Sequence, residues 1–87
     1  MLTTLEGREV VVDLRSPFVC LGTLTRFDEE FLELKNADLH DLRDSQTSRE
    51  NYVVTARNTG IIPNRKRVIL VRGEVVAVSL LADVVAG

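Results

Sequence analysis

Residues Val68-Ile69-Leu70-Val71-Arg72-Gly73-Glu74-Val75-Val76 decide how this chain is read. Four consecutive aliphatic side chains, three of them β-branched, favour extended backbone, and an unbroken apolar run predicts a strand covered on both faces. Arg72-Gly73 interrupts the run, and Val75, Val76, Val78, Leu80 and Leu81 then form a last strand after a tight turn. Placed at a sheet edge, such a strand exposes unpaired backbone groups and invites another chain. Pairing it with the last strand of a second copy covers both edges at once, and a head-to-tail contact of this kind gives a ring when its rotation closes. Val68, Ile69, Leu70, Val71, Val76 and Val78 are therefore the expected interface between copies. The alternative is a self-sufficient barrel with this strand central.

Working towards the N-terminus, Val10, Val12 and Leu14 alternate with Glu9, Val11, Asp13 and Arg15, which predicts a half-buried strand. Ser16-Pro17 ends it, because proline cannot donate to a sheet ladder. Phe18, Cys20, Gly22 and Leu24 resume the alternation to about Phe27, and Asp28-Glu29-Glu30 is a charged turn. Leu32 and Leu34 begin a third strand, whose apolar positions slip to Ala37 and Leu39. A parity slip of this kind predicts a bulge near Asn36-Ala37 and a sharp bend. Thr47-Ser48-Arg49-Glu50 fits a capping box, and Asn58-Thr59-Gly60 a helix end, so a short helix is expected from about 48 to 58. Asn64-Arg65-Lys66-Arg67 reads as a basic turn. The expected order is three strands, an inserted helix and two strands.

The 87 residues, 45% of them hydrophobic, suit one domain spanning 1–87 with an inserted segment of about 43–66. A core this small leaves much surface exposed, and assembly is a common remedy. No apolar run approaches the ~20 residues needed to span a bilayer, and Met1-Leu2-Thr3-Thr4-Leu5 lacks the basic and apolar regions of a secretory signal. Cys20 is the only cysteine, so neither an internal disulfide nor a metal site is expected, and no cofactor. A soluble cytoplasmic protein is the expectation. The net charge of −2 is unevenly spread. Residues 1–42 hold nine acidic side chains against four basic ones, whereas residues 43–72 hold seven basic against two acidic. An overall acidic balance therefore leaves room for an anionic partner, above all if several copies sum their fields.

Several stretches together resemble a known family. Leu5-Glu6-Gly7-Arg8, Val10-x-Val12-x-Leu14, Gly22-x-Leu24-x-x-Phe27-Asp28 and Leu32-x-Leu34 are similar to the first motif of the Sm/LSm proteins, the Sm-like ribonucleoprotein family. Val71-Arg72-Gly73-Glu74-x-Val76 is similar to the second. The resemblance covers about two thirds of the chain. It implies an all-β fold, a small, strongly bent five-stranded barrel whose fourth and fifth strands pair with neighbouring copies in a ring. It also implies binding of single-stranded, often uridine-rich, RNA near the pore. Arg72 and Gly73 match the family's second base-binding loop, and Asp28 matches the aspartate of the first. Arginine suits such a role because its planar guanidinium both stacks and donates. The first loop departs from the pattern: no asparagine is present, and Glu30 stands where a stacking side chain is usual. Glu29, Glu30 and Glu74 would repel phosphates. An oligomeric protein-interaction scaffold with the same barrel, its partners proteins, is thus the alternative to an RNA binder.

The insertion offers a second surface. Arg65, Lys66 and Arg67, with Arg49 and Arg57, are candidates for phosphate contacts along a distal RNA path. Tyr52 is either a stacking platform or core, and Phe31 likewise either stacks a base or packs inside. Cys20 and His40 offer the only conceivable nucleophile pair, but Cys20 shares a strand face with Phe18 and Leu24, as a buried thiol would. No metalloprotease, phosphate-loop or dinucleotide signature is present. A non-enzymatic protein is expected.

Overall fold

Period-two alternation in most cases, and a run of aliphatic side chains at Val68 to Val71, drive five stretches of this chain into strands. In the computed structural model, which describes residues 1–44 and 46–86, these are β1 (Glu9–Leu14), β2 (Phe18–Phe27), β3 (Phe31–Asp41), β4 (Arg65–Val71) and β5 (Val75–Leu80). They form one antiparallel sheet in the order β4-β3-β2-β1-β5, and the helix α1 (Arg49–Thr59) is inserted between β3 and β4. β4 and β5 thus occupy opposite edges, yet only the short 3-10 turn Arg72–Glu74 joins them. The sheet has to curl almost into a barrel for so short a turn to reach. It does not close, since no ladder joins β4 to β5 among the described residues.

The curl has a local cause. Leu21 pairs with Asp38 but Thr23 with Lys35, so β3 carries one extra residue opposite Gly22. Asn36 takes up the bulge at φ +49°, a left-handed conformation that asparagine tolerates better than most residues. The expected bulge at Asn36-Ala37 is therefore present. A Cβ on Gly22 would lie 3.1 Å from the Lys35 carbonyl oxygen and 3.2 Å from the Ala37 Cα. At these distances the facing backbone would have to give by a few tenths of an ångström to admit a side chain, which glycine avoids. Gly22→Ala is expected to cost about 1–3 kcal/mol through that overpacking. Urea denaturation checks it, and a midpoint equal to the parent's would show that the bulge gives way freely.

Inside the curl lies one apolar cluster: Val10, Val12, Leu14, Cys20, Leu24, Leu32, Leu34, Ala37 and Leu70. The opposite face of the sheet carries a second, in which Val11, Val19 and Leu21 pack against Val53 and Ala56 of α1 and against Leu81. β1 is accordingly buried on both faces at its centre, not half-buried as its pattern predicts. The reason is the helix, which covers the face that Val11 would otherwise expose. Burial of each such valine or leucine contributes about 1.5–3 kcal/mol. The reverse holds for β4, expected to be covered on both faces. Leu70 is 7% exposed, but Ile69 and Val71 are 59% and 54% exposed, because no element among the described residues covers their side of the strand.

The inserted helix is set by its ends. Ser48 Oγ accepts from the Asn51 amide at 3.2 Å, so the cap falls on Ser48 and not on Thr47 as the capping-box spacing suggests. Gly60, at φ +94°, closes it by donating to the Ala56 carbonyl at 2.8 Å. The β-branched Val53, Val54 and Thr55 disfavour a helix locally, and the packing of Val53 on the sheet outweighs them. Arg65, Lys66 and Arg67 are not a turn but the start of β4. The turn is made by Asn64, whose backbone amide donates to the Ala37 carbonyl at 2.8 Å.

Candidate nucleic-acid interface

Curling the sheet brings the β2–β3 loop against the β4–β5 turn. The Asp28 carboxylate accepts from the Glu30 and Phe31 amides, both at 2.8 Å, which makes a tight aspartate turn. Those two amides, with a smaller contribution from Arg72, hold its pKa below the ordinary carboxylate value. Arg72 ties the second element to the first. Its amide donates to the Glu30 carbonyl at 2.8 Å, and its guanidinium donates to the Asp28 carbonyl. Asp28, Arg72 and Gly73 are thus gathered at one end of the sheet. Gly73 has no left-handed φ, and nothing lies within 4 Å of where its Cβ would stand. Its place in the turn is not imposed by internal packing; it leaves the turn's outer surface bare. Glu29, Glu30 and Glu74 are exposed around it.

Beside this loop pair opens a groove of about 480 Å³ lined by Arg26, Phe27, Asp28, Phe31, Glu33 and Ile69. Phe31 is 43% exposed there, so it is not a core residue. The start of β3 gives its inner face to Leu32, and the neighbouring position must point outwards. Glu33 anchors the groove floor: it accepts from Arg26 at 3.2 Å and from Thr25 Oγ1 at 2.8 Å, and Arg67 stands 3.9 Å away. Arg26 first, then Thr25, lowers its pKa. The outward face of the strand pair is therefore a mixed aromatic and charged surface. Its sequence signal was the parity of Phe31 and Ile69, each odd where the core positions Leu32, Leu34, Val68 and Leu70 are even.

The basic segment does not gather into one patch. Arg65 begins β4 and Arg72 follows its end, which at the usual strand rise separates them by roughly 20 Å. Alternation puts Lys66 on the face of Val68 and Leu70, and Arg65 and Arg67 on the other. Arg49 pairs with Asp13 at 3.3 Å, while Arg57 donates to the Val84 carbonyl and to Asn58. These two arginines pin α1 to β1 and to the C-terminal segment. Tyr52 is no open stacking platform. It stacks on His40, with ring centroids 3.9 Å apart, and its hydroxyl donates to Asp38. Asn64 also donates to Asp38, at 3.2 Å, so a buried carboxyl joins the helix, β3 and the chain entering β4. Burial, reinforced by the bond to Asp38, raises the Tyr52 pKa.

Cys20 and His40 lie on opposite faces of the sheet, the thiol in the inner cluster and the imidazole against α1. Burial, with Asp38 as the lesser cause, pushes the thiol up to about 12, which keeps it protonated and unreactive. The pair cannot act together. No helix among the described residues is long and apolar enough to cross a membrane.

No protein-family model matches the sequence, and no curated protein does. Among solved structures, that of the Pyrococcus abyssii Sm protein in complex with a uridine heptamer aligns over 91% of this chain and 90% of its own, with a TM-score of 0.63 at 16% identity. At that identity the likeness is one of fold. The chain has the Sm-like, all-β fold: five antiparallel strands in one strongly bent sheet, with a short helix added between the third and fourth.

Proposed function

We propose that residues 1–87 act as a single domain of a cytoplasmic, ring-forming Sm-like protein that binds single-stranded RNA. The observation that carries this reading is the convergence of the Asp28 loop and the Arg72-Gly73 turn at one end of the sheet. A guanidinium held beside a bare glycine turn offers a planar stacking surface and spare donors to a base. Repeated around a ring, the same pair of loops reads one base per copy. The Sm protein of Pyrococcus abyssii, solved with a uridine heptamer, supports the ligand class. Fluorescence anisotropy with short U-rich and A-rich oligonucleotides tests it. Arg72→Ala is expected to weaken binding about tenfold or more, by the loss of one stacking contact. Arg72→Lys recovers little, since lysine keeps the charge but not the plane. Failure of the parent chain to bind either sequence at low salt would falsify the RNA reading.

A specific observation favours a second reading. Glu29, Glu30 and Glu74 are exposed around Arg72, whose guanidinium is already engaged by the Asp28 carbonyl. An acidic rim of this kind suits an oligomeric scaffold for protein partners. Partners retained on the chain after nuclease treatment support it; their complete loss counts against it.

A further inference from the structure

At the C-terminal end of α1 lies a small cavity of about 90 Å³. Buried Asp38 and half-buried Tyr52 form its inner wall, and exposed Thr55, Thr59, Gly60 and Ile62 form its mouth. Asp38 is the only charged residue that lines it among the described residues. The cavity stands near the far end of β3 from the loop pair of Asp28 and Arg72. We propose that it binds a primary alkylammonium, with the ammonium head on the Asp38 carboxyl and the alkyl chain leaving over Ile62. The inference rests on neither the RNA reading nor the ring reading.

Three observations select a ligand of this kind. The Asp38 side chain is buried, yet it takes part in none of the ion pairs among the described residues. Arg65, which follows Asn64 in the chain, turns instead to the Asn64 carbonyl at 3.0 Å, and His40 stacks on Tyr52. The Asp38 charge nevertheless reaches its neighbours, where it is a lesser cause than burial of the raised Cys20 and Tyr52 pKa values. A carboxylate so enclosed is ordinarily met by a cation. Second, the carboxyl has acceptor capacity to spare. Its Oδ2 accepts from the Tyr52 hydroxyl and its Oδ1 from the Asn64 amide at 3.2 Å, whereas a carboxylate offers about four lone-pair sites. The last turn of α1 and its cap at Gly60 add to this, since carbonyls outnumber amides at a helix C-terminus and favour positive charge there. Third, the size fits. Water takes about 30 Å³ of the liquid, and an ammonium head of similar bulk leaves room for roughly two methylenes. Ile62, 83% exposed at the mouth, gives the rest of the chain an apolar rim.

Amide proton–nitrogen correlation spectra of the full chain, titrated with butylamine at neutral pH, read the site directly, because the amine is protonated there. Saturable shifts are expected at the amides of Asp38, Thr59 and Gly60, with a dissociation constant on the order of 1 mM for so small a ligand. Nα-acetyl-lysine methylamide carries the same ammonium on a peptide, so comparing the two assigns the source as a free amine or a lysine side chain. Asp38→Asn keeps the shape of the inner wall and removes the charge, and is expected to weaken either ligand at least tenfold. Ile62→Ala, at an exposed position that leaves the fold intact, is expected to weaken butylamine about threefold and methylamine not at all. Butyltrimethylammonium has no N–H to donate and a head too large for the inner wall, and is expected to bind the parent at least tenfold more weakly than butylamine. No saturable shift at these amides up to about 50 mM amine overturns the proposal. So does displacement of butylamine by an equal concentration of potassium chloride, or equal binding of the trimethylated compound, whether or not the Asp38 variant folds.

Discussion

Leu70→Glu is expected to abolish folding, whereas Ile69→Glu on the adjacent position is expected to leave a folded chain that no longer assembles. Leu70 is 7% exposed and packs against Leu32, Leu34 and the β1 valines inside the curl. A carboxylate there has no cation or donor to meet it, and burying an uncompensated charge costs about 4 kcal/mol or more on top of the lost apolar contact. A domain this small has little more than that to lose. Ile69 faces outwards at 59% exposure, so a charge there stays hydrated within one copy and is buried only when another copy covers β4. Thermal melts followed by circular dichroism, with light scattering at 25 °C, separate the two. A cooperative melt for Leu70→Glu within a few degrees of the parent would contradict the placement of β4. A fully assembled Ile69→Glu would contradict the use of this strand as a seam.

The second large effect is expected at Asp38. Its carboxyl accepts from the Tyr52 hydroxyl and from the Asn64 amide, and it is nearly inaccessible to water. Asp38→Ala leaves the half-buried Tyr52 hydroxyl without its acceptor, at a cost of about 1–3 kcal/mol, while the exposed Asn64 amide keeps its bond to the Leu39 carbonyl. The loss should appear first as loosening of α1, because the Tyr52 link is one of the few polar ties between helix and sheet. Tyr52 is the only tyrosine, and the chain has no tryptophan, so ultraviolet absorbance reports on this one phenol. In the parent its pKa is raised, first by burial and then by Asp38. A raised phenol pKa means that the folded chain holds the proton more tightly than the unfolded one. The associated stability is complete below about pH 10 and is lost as pH climbs through the folded value. Removing Asp38 moves the titration back towards pH 10. An unchanged alkaline titration in Asp38→Ala would show that the hydroxyl owes nothing to that carboxyl.

Much of the fold was legible in the residues. Alternation marked the first three strands, runs of aliphatic residues marked the last two, and the slip from Leu34 to Ala37 located the bulge that bends them. Helix α1 was legible from its ends, although β-branched residues at 53–55 argued against it. What escaped were features that depend on contacts between distant segments. Val11 looked solvent-facing because nothing local announces that α1 lies over it. Val68 to Val71 looked doubly covered because hydrophobicity records the need for a cover without saying whether the same chain supplies it. The candidate site divides likewise. Asp28, Arg72 and Gly73 were marked by motif and do meet. Arg65, Lys66 and Arg67 were grouped by adjacency, but strand alternation splits them between two faces. Phe31 was left open between stacking and core by residue type, and its position beside Leu32 turns it outwards. The Asp38–Tyr52–Asn64 network had no local signature at all, since its members lie 12 or more positions apart.

The bulge at Asn36 opposite Gly22 has a consequence beyond the barrel that it bends. With β4 and β5 tethered by three residues, their separation is fixed, and only the angle between them is free to vary. For copies joined edge to edge, that angle is the corner of a polygon, and the number of sides follows from it. If copies do assemble in a ring as proposed, a few degrees of extra curl at Gly22 and Asn36 would change how many complete the circle, and so the width of the opening that they surround. The stoichiometry of such a ring would then be encoded far from any surface where two copies touch, in one residue that lacks a side chain and one that tolerates a left-handed backbone.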